Sequence, residues 1–281
     1  MRAAWLAGGA LALALAFAAA AGAAPTGGFL DDHDLNIVTW VPPTPVADGP
    51  VEVADLTTYF GTRALVSQAR GAEAHLDDVY IPPEVAPRFK DALGIALDPA
   101  NADAKFILDT IQLAQLDLEA LVKPVKQPVK PDGTGGRIRP YVRFPLLPAC
   151  DHAVDDSQYH LNTSGSYPST HAGVGMLWAL LMSQLASDRT DALFAKGYAF
   201  GESRLVCGFH YPSDLAAGRL AATVLVARLQ TNKAFQDRMA AAKLKLDGLR
   251  GAAPPKPTPY MEKVLKLETQ RVLRPLTPSE Q

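Results

Sequence analysis

The segment GESRLVCGFHYPSD, residues 201–214, places an arginine, a histidine and an aspartate where an apolar helix is about to begin. Tyr211-Pro212 suits a helix start, because proline is well tolerated at the first helical position. His210 then lies just outside the helix and Asp214 in its first turn, four residues on and close enough to meet. A carboxylate bonded to one imidazole nitrogen fixes the tautomer and leaves the other nitrogen as base, nucleophile or metal ligand. Taken alone, the pair also describes a satisfied structural histidine.

A second stretch, GSYPSTHAG at 165–173, reads as another helix entrance, with Ser169 as cap and Thr170 and His171 in or beside the first turn. Helix N-termini present free N–H groups and partial positive charge, so two such ends carrying histidines suggest an oxyanion site. Arg204 and Arg139 add forked donors for the same anion. Two histidines, two arginines, a cap serine and a carboxylate describe phosphoryl transfer without a metal or other cofactor. One histidine attacks phosphorus, the other protonates the leaving oxygen, and the arginines hold the remaining oxygens.

PSTH (168–171), followed after 31 residues by SRLVCGFHYPSD (203–214), resembles the P-S-x-H and S-R-x5-H-x3-D motifs of the type 2 phosphatidic acid phosphatase (PAP2) superfamily. RIRPY (137–141) resembles its first motif, K-x6-R-P. Together they are most similar to the soluble bacterial class A nonspecific acid phosphatases, from about Leu116 to Arg219. The resemblance implies a nucleophilic His210 oriented by Asp214, a proton-donating His171, and phosphate held by Arg139, Ser169, Arg204 and the Thr170 backbone. It also implies small phosphate monoesters as substrates. Two departures stand out. Thr170 occupies a position where the family most often has glycine, which narrows the pocket but leaves the backbone N–H in place. Asp132 stands where the first-motif lysine belongs, so that role falls to Lys126, with Lys123 and Lys130 as rivals, or to none. Within the superfamily a lipid or isoprenyl phosphate phosphatase is one alternative and a vanadium-dependent haloperoxidase another. A phosphate-binding relative without catalysis is a third reading.

The elements that must position these residues read as helical. Apolar residues recur three and four apart from about Asp55 to about Arg250, with breaks expected near Ser187 and again in the run that starts at Pro212. IRPYVRF and LNIVTW are the best strand candidates. The fold class is therefore all-α, a single-domain helical bundle of the type the resemblance implies, in which 124–165 forms one long non-helical insert. At 281 residues the chain buries a sizeable core, and a net charge of −2 gives no sign of a nucleic-acid or polybasic membrane surface.

Residues 1–23 have a basic start, an apolar run and an A-x-A end at Ala21-Gly22-Ala23, the pattern of a cleaved signal peptide; a membrane anchor is the competing reading. Export to the periplasm or beyond follows, with no later segment apolar enough for stable membrane insertion. An extended arm is expected over 24–54 and a proline-rich tail over 251–281. Cys150 and Cys207 are either a disulfide or two buried thiols. The acidic groups at 31–36 and at Asp151, His152, Asp155 and Asp156 read as solvated loops rather than metal sites. A homo-oligomer is compatible with helical faces but nothing in the sequence specifies one.

Overall fold

The structure is a computed structural model and describes residues 27–31, 35–130, 134–150 and 161–251. The expected signal peptide, the Asp151–Asp156 cluster and nearly all of the expected tail lie outside the described residues. Nine α-helices form among those described: α1 Pro50–Gly61, α2 Ala69–Leu76, α3 Pro82–Leu93, α4 Ala102–Val122, α5 Pro140–Arg143, α6 Thr170–Leu185, α7 Thr190–Val206, α8 Pro212–Leu229 and α9 Lys233–Arg250. Among the described residues there are no strands, only two isolated β-bridges that pair Pro128 with Ser164 and Val129 with Gly135.

Helix α6 is the centre of the bundle. Its sequence, THAGVGMLWALLMSQL, is apolar on all sides, and a helix of that kind is stable only when surrounded. It packs on α4, α7 and α8, and α9 closes over α4. Small residues set the spacing. A Cβ on Gly197 would fall 2.4 Å from the carbonyl oxygen of Gly175, and one on Gly218 would fall 2.0 Å from that of Ser169. Glycine at these positions lets α7 and α8 approach the α6 backbone directly, which brings the start of α8 against the start of α6.

The expected break near Ser187 is a 3₁₀ turn at Ser187–Arg189, and the break after α8 falls at Gln230–Asn232, where the Asn232 side chain caps α9. The run after Asp55 also divides, into α1 and α2, at Gly61 and a 3₁₀ turn at Arg63–Leu65. Helix α1 starts at Pro50, inside the expected arm, because Gly49-Pro50 supplies a helix entrance.

Both strand candidates are corrected. In IRPYVRF, Pro140 takes the first position of α5 and its carbonyl accepts from the Phe144 N–H at 2.8 Å. In LNIVTW, the Asn36 side chain accepts from the Val38 N–H and starts a 3₁₀ turn, Ile37–Thr39. A proline at the first helical position in one case and an asparagine cap in the other outweigh the short apolar alternation.

Candidate active site

Gly208, in the left-handed region at φ 82°, ends α7 and turns the chain into Phe209, His210 and the start of α8. Asp214 Oδ2 accepts from the Tyr211 N–H at 2.9 Å and lies 3.4 Å from His210 Nδ1. Across the ring, His210 Nε2 lies 3.0 Å from Nη1 of Arg139. A guanidinium only donates and a carboxylate only accepts, so both neighbours select the same tautomer: a proton on Nδ1 and a lone pair on Nε2. Burial, reinforced by the charge of Arg139, outweighs the pull of Asp214 and draws the His210 pKa down to about 3.

At the start of α6, the Ser169 hydroxyl oxygen caps the helix by accepting from the Ala172 N–H at 3.2 Å. The Ser169 N–H donates to the Asp214 carbonyl at 2.9 Å, which ties the two entrances together. His171 stacks flat on Phe200, with ring centroids 4.5 Å apart, and its Nε2 donates to the backbone carbonyl of Asp77 at 2.9 Å. Nδ1 is therefore its lone-pair nitrogen. Burial first, then Arg204 and His210, hold this imidazole well below its ordinary value.

These groups meet at a cavity of about 350 Å³ whose polar wall includes Lys126, Arg139, Thr170, His171, Arg204 and His210. Arg204 donates to Asp78 at 2.7 Å and lies over the Phe209 ring, while its buried Nε has no hydrogen-bond partner among the described residues. Arg139 is fixed by the carbonyls of Leu161, Ser164 and Phe209 at 2.9 to 3.2 Å. Lys126 Nζ donates to the Pro168 carbonyl at 2.8 Å, and burial together with Arg139 lowers its pKa to about 7. Cations, two neutral imidazoles and a helix N-terminus converging on one cavity make a receptor for a tetrahedral oxyanion.

Residues 133–235 match the PAP2 superfamily. Over 211 residues the chain is 30% identical to a non-specific acid phosphatase of Providencia stuartii, covering 74% of this chain and 80% of that protein. It is 29% identical to a non-specific acid phosphatase of Salmonella typhimurium over 77% of this chain and 82% of that protein. An acid phosphatase of Zymomonas mobilis is 30% identical over 76% of each. The chain belongs to the PAP2 superfamily.

Of the PAP2 motif residues, the structure brings Arg139, Thr170, His171, Arg204 and His210 to the cavity wall and sets Ser169 and Asp214 behind it, both fully buried. Of the three candidate lysines, Lys126 reaches the cavity; Lys123 is exposed and lines an adjoining one, and Lys130 is exposed. Cys150 and Cys207 form a disulfide that anchors the segment after α5 to the end of α7, beside the turn that carries His210. Among the described residues no group of three or more His, Cys, Asp or Glu side chains is arranged to hold a metal ion, and no helix is long and apolar enough to cross a membrane.

Sequence reasoning missed four residues around this PAP2 site. The Asp77 carboxylate accepts from Arg88, Lys196 and Ser203 while its carbonyl holds His171, and Asp78 holds Arg204. Arg137 donates 2.7 Å bonds to both Asp214 and Asp55. Asp55, Asp77 and Asp78 all precede the segment that matches the family, so only the packing of α1 and of the α2–α3 connection on the later helices reveals them.

Proposed function

We propose that this chain is an exported acid phosphatase that hydrolyses phosphate monoesters of broad specificity through a phosphohistidine at His210, without a metal. The observation that carries the reading is the flanking of the His210 ring: the Asp214 carboxylate lies 3.4 Å from Nδ1 and Arg139 3.0 Å from Nε2, which supports a lone pair on Nε2 aimed at the arginine that would bind the phosphate.

In the first step the Nε2 lone pair forms a bond to phosphorus and the P–O ester bond breaks. The leaving alkoxide takes a proton from His171. Arg139, Arg204 and Lys126 hold the other phosphoryl oxygens, along with the first N–H groups of α6. In the second step water attacks the phosphohistidine, His171 takes a proton from that water, and the N–P bond breaks to release phosphate and restore His210.

His171 donates a proton although its surroundings disfavour the charged form. An incoming phosphate group, carrying about 1.5 to 2 negative charges near neutrality, offsets Arg204 and Arg139 and raises the affinity of His171 for that proton. Acidic conditions supply it, which supports an optimum below neutral pH. The disulfide supports an oxidising compartment, consistent with export. The cationic part of the cavity wall, Lys126, Arg139 and Arg204, suits the phosphate group common to all monoesters, which supports broad specificity.

The test is phosphate release from an aryl phosphate at mildly acid pH with excess chelator, comparing the intact protein with His210→Ala. Chelator-resistant turnover that falls by at least about 10⁴-fold in the variant supports the histidine mechanism. Turnover that survives the variant, or that chelator abolishes, overturns it. Bromide oxidation on adding vanadate, with no phosphate release, moves the chain to the haloperoxidase reading.

A further inference from the structure

We propose that Arg137 and Asp55 are positioning residues for the reaction at His210, forming a buried relay Asp55–Arg137–Asp214–His210 that holds the orienting carboxylate ionised and aimed; the proposal rests on the phosphohistidine reading. The geometry is that of a clamp. Arg137 Nη1 donates to Asp214 Oδ1 at 2.7 Å and to the Ser213 hydroxyl at 2.8 Å, and Nη2 donates to Asp55 Oδ2 at 2.7 Å. The guanidinium lies 4.0 Å from the centre of the Tyr211 ring, and its side chain is 6% exposed. Asp55 in turn accepts from the Ser213 N–H at 2.9 Å and from its hydroxyl at 2.5 Å, so α1 is fastened to the first turn of α8.

The charge count gives the arrangement its purpose. When His210 bonds to phosphorus its ring becomes cationic, and Asp214 must carry negative charge to stabilise it. A single guanidinium paired with Asp214 alone would cancel that charge. Shared with Asp55, it leaves two carboxylates around one cation, so a net negative charge persists next to the imidazole. Fork-shaped donation to both acids also fixes the Asp214 plane in a way a point charge would not.

The groups facing Asp214 are His210 and Tyr211 from the entrance to α8, Arg137 from the segment before α5, Lys126 after α4 and Tyr167 before α6, with Asp55 of α1 behind Arg137. Burial raises the Asp214 pKa, and the His210 bond and the Arg137 charge more than reverse it, to about 2. Removing Arg137 lets Asp214 protonate at higher pH, so activity is lost earlier on acidification.

The experiment compares Arg137→Gln and Asp55→Asn, singly and together, with the parent protein, measuring kcat, KM, the acid limb of the kcat profile and the ring ¹⁵N signals of His210. Arg137→Gln is expected to lower kcat about 10- to 100-fold, as loss of an outer-shell partner of a catalytic group does, with little change in KM. The acid limb should rise by about one pH unit or more, and the Nδ1-protonated tautomer should lose population. Asp55→Asn moves the same quantities less, and the double variant is no worse than Arg137→Gln alone because the two act as one unit.

Loss of kcat without a change in the acid limb or ring tautomer overturns the proposal, and so does additive behaviour of the pair. If Arg137→Gln fails to fold, Arg137→Lys, which keeps the charge but not the fork, decides through the same readouts. A parent protein that does not turn over aryl phosphate sinks the phosphatase reading instead, and the ring signals still report on the relay.

Discussion

The two helix entrances that meet at the cavity are built alike and partnered differently. Each presents a histidine beside a helix start, yet His210 faces a carboxylate and His171 a backbone carbonyl. Either acceptor fixes a tautomer. Only the carboxylate carries a full charge that would offset an imidazole made cationic by the proposed bond to phosphorus. A carbonyl offers a partial dipole, so His171 gains little from holding a proton and gives it up readily. In the proposed mechanism the same residue type thus serves as nucleophile at one entrance and as proton shuttle at the other, through the charge of a single neighbour.

The sharpest way to break this comparison is to disable each side and ask which step fails. Asp214→Asn is expected to slow formation of the phosphoenzyme by about 10²- to 10⁴-fold with alkyl and aryl phosphates alike, because the Nε2 lone pair is no longer enforced. The sequence alone suggests that this variant keeps its fold intact. The structure adds a stability loss of about 3 to 5 kcal/mol, since Asp214 is fully buried and bonded to Arg137. His171→Ala should depend on the leaving group, with a loss of about 10²- to 10⁴-fold for alkyl phosphates. An aryl phosphate, whose phenolate leaves without a proton, should still give a burst, followed by slow release as phosphoenzyme accumulates. Equal losses for both substrates in His171→Ala would remove the division of labour.

Lys126 comes next in size. Its amine lines the cavity beside Arg139 and reaches the Pro168 carbonyl, a setting that supports the proposed role in holding the anion. Lys126→Met should reduce kcat/KM by about 10- to 100-fold, mostly through KM, the range expected for a hydrogen bond to a charged group. Lys123→Met and Lys130→Met should leave both constants alone. A reversal of that order, read from initial rates, would return the first-motif role to one of the rivals.

Part of this site was legible and part was not, for a physical reason. His210 and Asp214 stand four apart across a helix start, and Ser169 precedes the helix that carries His171, so local spacing alone predicts the first contact and the second cap. The helix breaks at Ser187 and after α8 were legible through local punctuation. Asp55, Asp77 and Arg137 act across 77 to 94 residues of chain, and no local period reports such contacts. Asp77 and Asp78 read as the polar end of an amphipathic helix. Arg137 did leave one signal, since it stands two residues before Arg139 and alternate residues of an extended segment share a side. Lys126 was ambiguous because an insertion of uncertain register separates it from Arg139; the turn after α4 settles where it lies.

The same partners set the response to acid. His210 folds with a pKa of about 3 against an unfolded value of about 6.5, so the folded state favours the neutral ring. That contribution is complete above about pH 6.5 and is lost as pH falls toward 3. Asp214, at about 2 when folded, adds a loss only below about pH 4. Thermal stability should therefore decline from about pH 7 to about pH 5, where the contributions of His210 and His171, both held below their ordinary values, fall together and the phosphatase is expected to work. Bound phosphate offsets the positive surroundings and should restore it, with a gain in Tm that grows as pH falls. Calorimetry with and without inorganic phosphate checks this, and a gain independent of pH would detach the histidines from the anion site.

The smallest effect is expected at Thr170, on the α6 entrance beside His171. Its side chain lines the cavity as the first residue of the helix, while its proposed contribution to an anion is a backbone N–H that every residue but proline supplies. Thr170→Gly removes the Cβ with its methyl and hydroxyl from the wall and leaves that donor unchanged. Turnover of a small aryl phosphate should stay within about 0.5 kcal/mol, roughly a factor of two. A bulkier alcohol should gain relative to it, because the wall recedes where the leaving group must sit. A large fall for both substrates would mean that the threonine hydroxyl itself binds phosphate, and the α6 entrance would then hold the anion through a side chain as the α8 entrance does.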